Sequence, residues 1–463
     1  MKYMIRKYIL PDRTDLKWAA KLAASLAIPL LILLYRPIGL TMRQSIVVAG
    51  VLLSVIWWSS GIIKKIPASV FLTLLFGIFS GVEMKTIFSF PLSETFPMIA
   101  ITYLFSQAIS NSGLIDKIFQ PLLLRLVHTP VQCILASMAI LCLTMYVIPQ
   151  PLARLIIVAA VFRQFLNKTT LPERTQTVLM YSVFFFSAAI NMSAKDADMI
   201  MNNVAASFSD TVITNAMWIR CMTPPTIVCC ALLLLLIYLI FYRDLHGITF
   251  KAAADDDHTP FTKRQKTALA VILTTVMLWM TSSFHGINQT VITIISTAIL
   301  FGMGMLHKED LKTIDVTTLI FLTAAFSIGG VMKACGAADK VFGILSGIFP
   351  DEFSIRYLMT MVFAAMLLHM ILGSNSTTLS VVVPGMTVLC GNMVPSPVIV
   401  FTAIAAVSYH VLLPFHSVGI MVGASNGYYP AKYITKTGLF TTVIVYFAVA
   451  FIFLPYWKFI GLL

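Results

Sequence analysis

The chain has 463 residues, 59% of them hydrophobic and only 11% charged, with a mean hydropathy of +0.90. Soluble domains carry about 25% charged residues, so the composition excludes a soluble fold and predicts an integral membrane protein. The net charge of +13 would suggest a nucleic-acid partner in a soluble chain. Here the basic residues fall in short loops between apolar runs, the pattern that orients a membrane protein, and no nucleic-acid partner is expected.

A basic leader (Lys2, Arg6, Lys7, Arg13, Lys17) precedes an apolar run from Trp18 to Leu34, read as a retained first helix rather than a cleaved signal. Further spans are predicted at 44–62, 66–82 and 95–112. The stretch 113–128, with Asp116, Lys117 and Arg125, predicts an amphipathic interfacial helix. Apolar stretches at 130–148 and 152–166 flank Pro149-Gln150-Pro151. Together they are too short for two crossings of roughly 20 residues each, and a re-entrant hairpin is predicted. A span near 175–190 meets the polar break Asn191 to Asp198, and another follows at 218–242. The loop 243–266, with Asp255-Asp256-Asp257-His258, reads as a solvated linker. Seven cysteines without a CxxC pair indicate neither a disulfide framework nor a metal site.

The second half has spans near 267–283, 289–306 and 315–334, an amphipathic segment at 336–349, a broken span at 396–430 and a last one at 438–456. Between them lies Leu372-Gly373-Ser374-Asn375-Ser376-Thr377-Thr378, a small polar run with apolar flanks on both sides. Polar, non-helical backbone at membrane depth is tolerated only inside protein or facing a water-filled cavity, which predicts the tip of a second hairpin lining a binding site. The halves also match in sequence. Gly113-Leu-Ile-Asp116-Lys117-Ile-Phe119 resembles Gly336-Ala-Ala-Asp339-Lys340-Val-Phe342, an offset of 336 − 113 = 223 that carries Pro151 onto Ser374 and Asn191 onto Pro414.

The expected fold is therefore an all-α polytopic membrane protein of about 11 transmembrane helices in two inverted repeats, each with a re-entrant hairpin and a broken helix. The expected organisation is a leader and first helix at 1–43, a first repeat at 44–242 with a cytoplasmic-entry hairpin near 130–166, and a cytoplasmic linker at 243–266. A second repeat at 267–463 carries an external-entry hairpin near 357–392. The loop charges put the N-terminus in the cytoplasm and the C-terminus outside. Inverted repeats with broken helices and a midplane site mark secondary transporters.

At these patches the chain resembles the divalent anion/sodium symporter (DASS) family of dicarboxylate, citrate and sulfate carriers. Gly373-Ser374-Asn375-Ser376-Thr377 resembles that family's Ser-Asn-Thr tip motif, and Val383-Pro384-Gly385 follows as the family's proline does. Leu413-Pro414-Phe415-His416-Ser417-Val418-Gly419 resembles its second unwound loop. The resemblance implies an elevator-type carrier of small divalent anions at the cytoplasmic membrane, a homodimer, and sodium as the only cofactor-like ion. It also implies that Asn375 and Thr377 touch substrate. The first tip departs from the motif, reading Pro149-Gln150-Pro151-Leu152-Ala153-Arg154, and the first loop offers Asn191 and Ser193.

Several polar residues are then candidates. Sodium needs several oxygen ligands, which Ser374, Asn375, Ser376 and the loop at Pro414 can supply; the plainer role for such side chains is helix capping. Substrate candidates are Asn375, Thr377, Gln150, Asn191, Ser193, His416 and Ser417. Arg154 is a cation inside an apolar segment, where insertion costs roughly 2.5–3.5 kcal/mol. It either stands in for a missing sodium beside the anion, or snorkels, or pairs with Asp196 or Asp198. Replacing sodium by a fixed cation would favour an exchanger with reduced sodium dependence, or coupling to protons through His416; His410 reads equally well as a packing residue. The competing functions are an arsenite extruder or sodium/proton antiporter of related architecture and, from another class, a membrane enzyme acting on lipid-linked sugars. No loop is long enough for that enzyme's external domain.

Overall fold

A computed structural model describes residues 16–250, 260–281, 285–343, 347, 349–372, 375–391, 393–413 and 416–463. The acidic run 255–258 of the expected linker lies outside them. Every regular element among the described residues is helical, and the chain is an all-α polytopic membrane protein. Each half starts the same way. Thr41 caps the helix Met42–Ser60 in a reciprocal pair with Gln44, and Thr262 caps Lys263–Met280 with Gln265, so side chains satisfy amide donors that a helix start leaves open.

The offset of 223 recurs in the element starts to within two residues. The first half runs Lys65–Leu75, Thr95–Ser112, Leu114–Leu126, Pro130–Thr144, Pro151–Asn167 and Glu173–Asn191. The second half answers with Gln289–Gly302, Val316–Ala334, Ala337–Gly343, Ile355–Leu372, Asn375–Cys390 and Ser396–Tyr409. Gly113 (φ 64°) and Gly336 (φ 70°) occupy the same joint in each half. A left-handed residue without a Cβ lets a crossing helix end there and the amphipathic helix start at an angle; in the first half that bend is 56°.

Packing exchanges partners between the halves. Thr95–Ser112 packs on Gln289–Gly302, and Val316–Ala334 packs on Lys65–Leu75. Glu173–Asn191 touches Val418–Ser425, and Ser396–Tyr409 touches Met201–Ser207. Each contact is the other's mate under the offset, as a pseudo-two-fold relation requires. Each hairpin packs on the helix that follows it and against its own amphipathic helix. Leu30, Leu31, Leu34, Leu235, Leu239, Val443, Phe447 and Phe451 are exposed apolar residues on the long outer spans, where lipid is their natural contact.

The number of crossings is less direct than hydropathy implied. Among the described residues four helices are long and apolar enough to span a bilayer, or five with the bent pair at Gly113, against the eleven expected. The cause is local: hairpin limbs and broken helices stop at polar breaks, so apolar helices such as Pro130–Thr144, Asn375–Cys390 and Ser396–Tyr409 remain short.

Candidate functional site

Four helix starts converge on one cavity of 350 Å³: Gln150 to Leu152, Ile200 to Asn202, Asn375 and Ser376, and Ser417 to Gly419. They belong to the two hairpins and to the resumed segments of the two broken helices. The first amides of each helix have no partner within the helix, and the backbone dipoles place partial positive charge there. The starts are not equally open. Gln150 caps Pro151–Asn167 by accepting from the Ala153 amide. Asp198 caps the short helix Met201–Ser207, accepting from Ile200 N at 3.1 Å and Met201 N at 2.9 Å. Ser417 makes no side-chain cap.

Two further groups close the cavity. Lys65 lines it with its ammonium 5.3 Å from the ring centre of Phe321. Asp315, also lining it, caps Val316–Ala334 by accepting from Thr318 N at 3.0 Å. The wall therefore combines one lysine ammonium, two capping carboxylates, several amides and hydroxyls, and helix starts.

Arg154 is not in this wall. It is fully buried behind it, and its guanidinium donates to the carbonyls of Ile148 at 2.8 Å, Met145 at 3.4 Å and Ala197, and to Oδ1 of Asn191 at 2.6 Å. Three backbone oxygens and one amide oxygen thus surround a fixed charge at the junction of the first hairpin with the first broken helix. Asp198, nearby, turns Oδ1 to the helix cap, and Asp196 accepts from Asn215 at 2.7 Å. Among the described residues neither carboxylate forms an ion pair with Arg154. Snorkelling is ruled out by the burial.

Of the remaining candidates, Gln150, Asn191, Asn375, Ser376 and Ser417 line the cavity together. Ser193 does not; its hydroxyl faces Met145 Sδ at 3.7 Å and its carbonyl accepts from Thr223. Thr377 is buried beneath the second tip, with Oγ1 lacking a partner among the described residues. His416 is buried away from the lining, against His369 and His410. Ser374 and Pro414 lie outside the described residues. Sequence reasoning missed Lys65, Asp315 and His369 as residues near the site. The available signal was a charge at a helix start and a lone histidine within an apolar run.

No curated protein matches the chain. The family model for the sodium:sulfate symporter transmembrane region matches residues 16–463, and with both hairpin starts on one cavity the chain belongs to that family of sodium-coupled anion transporters.

Proposed function

We propose that the protein is a secondary active carrier of small divalent anions, di- or tricarboxylates or sulfate, held in the 350 Å³ cavity between the hairpin tips. The observation that carries this reading is the convergence of helix starts from both halves on one cavity, since such starts bind anions with their free amides. Asn375, Ser376, Gln150, Asn191 and Ser417 supply hydrogen bonds and orientation. Lys65 supplies a charge within reach of the ligand, and Arg154 a second one behind Asn191.

Arg154 also bears on coupling. Its guanidinium fills a cage of carbonyl oxygens of the kind sodium uses, and a covalently attached cation moves with the hairpin but is never released with the substrate. Any sodium taken up would be held at the second tip, by Asn375 and Ser376 together with Ser374 and Pro414. The carrier then works with reduced sodium dependence or as an anion exchanger. The two hairpins with their broken helices move as an elevator against a scaffold that includes Met42–Ser60 and Lys263–Met280, in a homodimer. Orientation follows from charge: Arg174 pairs with Asp244 at 2.8 Å and Lys436 donates to Ile240 at 3.3 Å. This basic face fits the cytoplasm, with the N-terminus inside and the C-terminus outside, in the cytoplasmic membrane.

Uptake of radiolabelled sulfate, succinate and citrate into proteoliposomes tests the reading, with and without a sodium gradient and with and without internal anion. Uptake accelerated by internal anion and persisting without sodium is expected. Strict sodium dependence would defeat the exchanger reading. No transport of any of the three anions would overturn the carrier assignment in favour of a different cargo, arsenite or a cation.

A further inference from the structure

We propose that His369, His410 and His416 form a binding site for one divalent transition-metal ion of the zinc class. All three are buried, with exposures of 0%, 2% and 0%, and one ring nitrogen from each lies within 4.8 Å of the others. Nδ1 of His369 is 3.3 Å from Nδ1 of His410. Two nitrogens bound about 2.0–2.1 Å from one tetrahedral ion stand about 3.3 Å apart, so this pair already has the spacing of shared ligands. In the tautomer with its hydrogen on Nδ1, His416 donates to the carbonyl oxygen of His410 at 3.3 Å, which leaves the lone pair on Nε2. The ligand atom His416 offers is accordingly Nε2, with the other ring nitrogen fixed by the main chain, as metal-binding histidines usually are.

The donor set selects the ion. Three imidazoles with no carboxylate in the cluster suit zinc, cobalt, nickel or copper, whereas calcium and magnesium demand oxygen ligands. Three protein ligands leave one coordination position open. The cluster reaches the cavity through Asn375, which lies beside His369 and lines the wall.

The repeat gives the site a counterpart. Arg154 binds residues 145, 148, 191 and 197; adding 223 gives 368, 371, 414 and 420, which bracket His369 and His416. A cation therefore sits at the hairpin-to-broken-helix junction of both halves, an arginine side chain in the first and a bound metal in the second. The metal site stands on its own geometry, independent of which anion is carried.

The test uses the full chain, purified in detergent without a histidine tag and stripped with chelator, titrated with Co²⁺. One equivalent should bind per chain, with the visible d–d absorption of a low-coordinate nitrogen site, and Zn²⁺ should displace it. His369→Gln and His410→Gln should each weaken Co²⁺ binding at least tenfold while keeping the elution profile and melting temperature of the parent. Should a variant misfold, Zn²⁺ protection of the parent's histidines from diethyl pyrocarbonate, mapped by peptide mass, provides the second readout. Absence of stoichiometric Co²⁺ binding, or binding unchanged in the His369→Gln/His410→Gln double variant, overturns the proposal. Co²⁺ binding alongside failed anion uptake would uphold the metal site and sink only the carrier reading.

Discussion

The guanidinium of Arg154 donates to Oδ1 of Asn191 at 2.6 Å, tying the first hairpin to the break in the helix that follows it. Asn191 faces the cavity on its other side, so the arginine acts on a ligand through a neighbour and through its charge. Arg154→Ala would strip donors from the buried carbonyls of Ile148 and Ala197. An unsatisfied buried acceptor costs about 1–3 kcal/mol, and a clear drop in melting temperature is expected along with loss of uptake. Arg154→Lys retains the charge without the planar fork and should fall between. Arg154→Ser leaves room among the carbonyls for a small cation, so its residual uptake should become sodium-dependent. Wild-type uptake and stability in Arg154→Ala would remove the guanidinium from the mechanism.

Asn375 separates binding from folding. It is buried at the start of the second tip helix and lines the cavity, and its Oδ1 has no partner among the described residues. Deleting an unsatisfied polar atom relieves a penalty rather than creating one. Asn375→Ala should therefore leave the melting temperature close to the parent's while raising the KM for anion about tenfold or more, a loss of about 1.4 kcal/mol. Asn375→Asp puts a negative charge on the same wall and should lose uptake altogether. A melting temperature that collapses in Asn375→Ala, with the KM unchanged, would make this residue a cap and nothing more.

What was legible in the sequence follows from where physics leaves a local trace. The polar run at Asn375 and the break at Asn191 stand out because lipid-grade flanks make them costly, and the structure brings both to one cavity. The matching joints at Gly113 and Gly336 were legible because only glycine suits the turn. Arg154 was conspicuous, yet its direction was not, since a guanidinium three residues into a helix can face a cavity or reach back to carbonyls. The trio His369, His410 and His416 brings together residues 41 and 6 positions apart, and no spacing rule connects the first with the others. Lys65 and Asp315 come from opposite halves, and only the exchange of helices between repeats brings them to the same wall.

Lys65 is the one lysine among the described residues that lines the cavity. Two unit charges about 4 Å apart interact by about 4 kcal/mol in a surroundings of intermediate dielectric, far more than a hydrogen bond contributes. Lys65→Met keeps an unbranched side chain of similar length and deletes the charge, together with the ammonium's contact on the Phe321 ring. Expected are near-normal stability and a KM raised more for a dianion than for a monoanion such as lactate or formate, measured by competition against labelled substrate. Equal effects on both charge types would place the lysine outside the ligand's reach.

Gly438 fixes the second unwound loop by having no side chain. A Cβ there would lie 2.4 Å from the carbonyl oxygen of Val411 and 2.6 Å from Cα of Leu412, both main-chain atoms with no rotamer to yield. Overpacking of this kind costs typically 1–3 kcal/mol, and the loop would have to retreat. That loop follows His410 directly, and His416 is tied to the His410 carbonyl, so the retreat should open the histidine cluster as well as one wall of the cavity. Gly438→Ala is expected to lower the melting temperature, to weaken Co²⁺ binding and to cut anion uptake in parallel. Gly302 is the control: it ends a helix, and a Cβ there meets nothing within 4 Å, so Gly302→Ala should be neutral or stabilise by up to about 1 kcal/mol. Gly438→Ala that behaves like Gly302→Ala in all three measurements would mean the loop position does not govern either site.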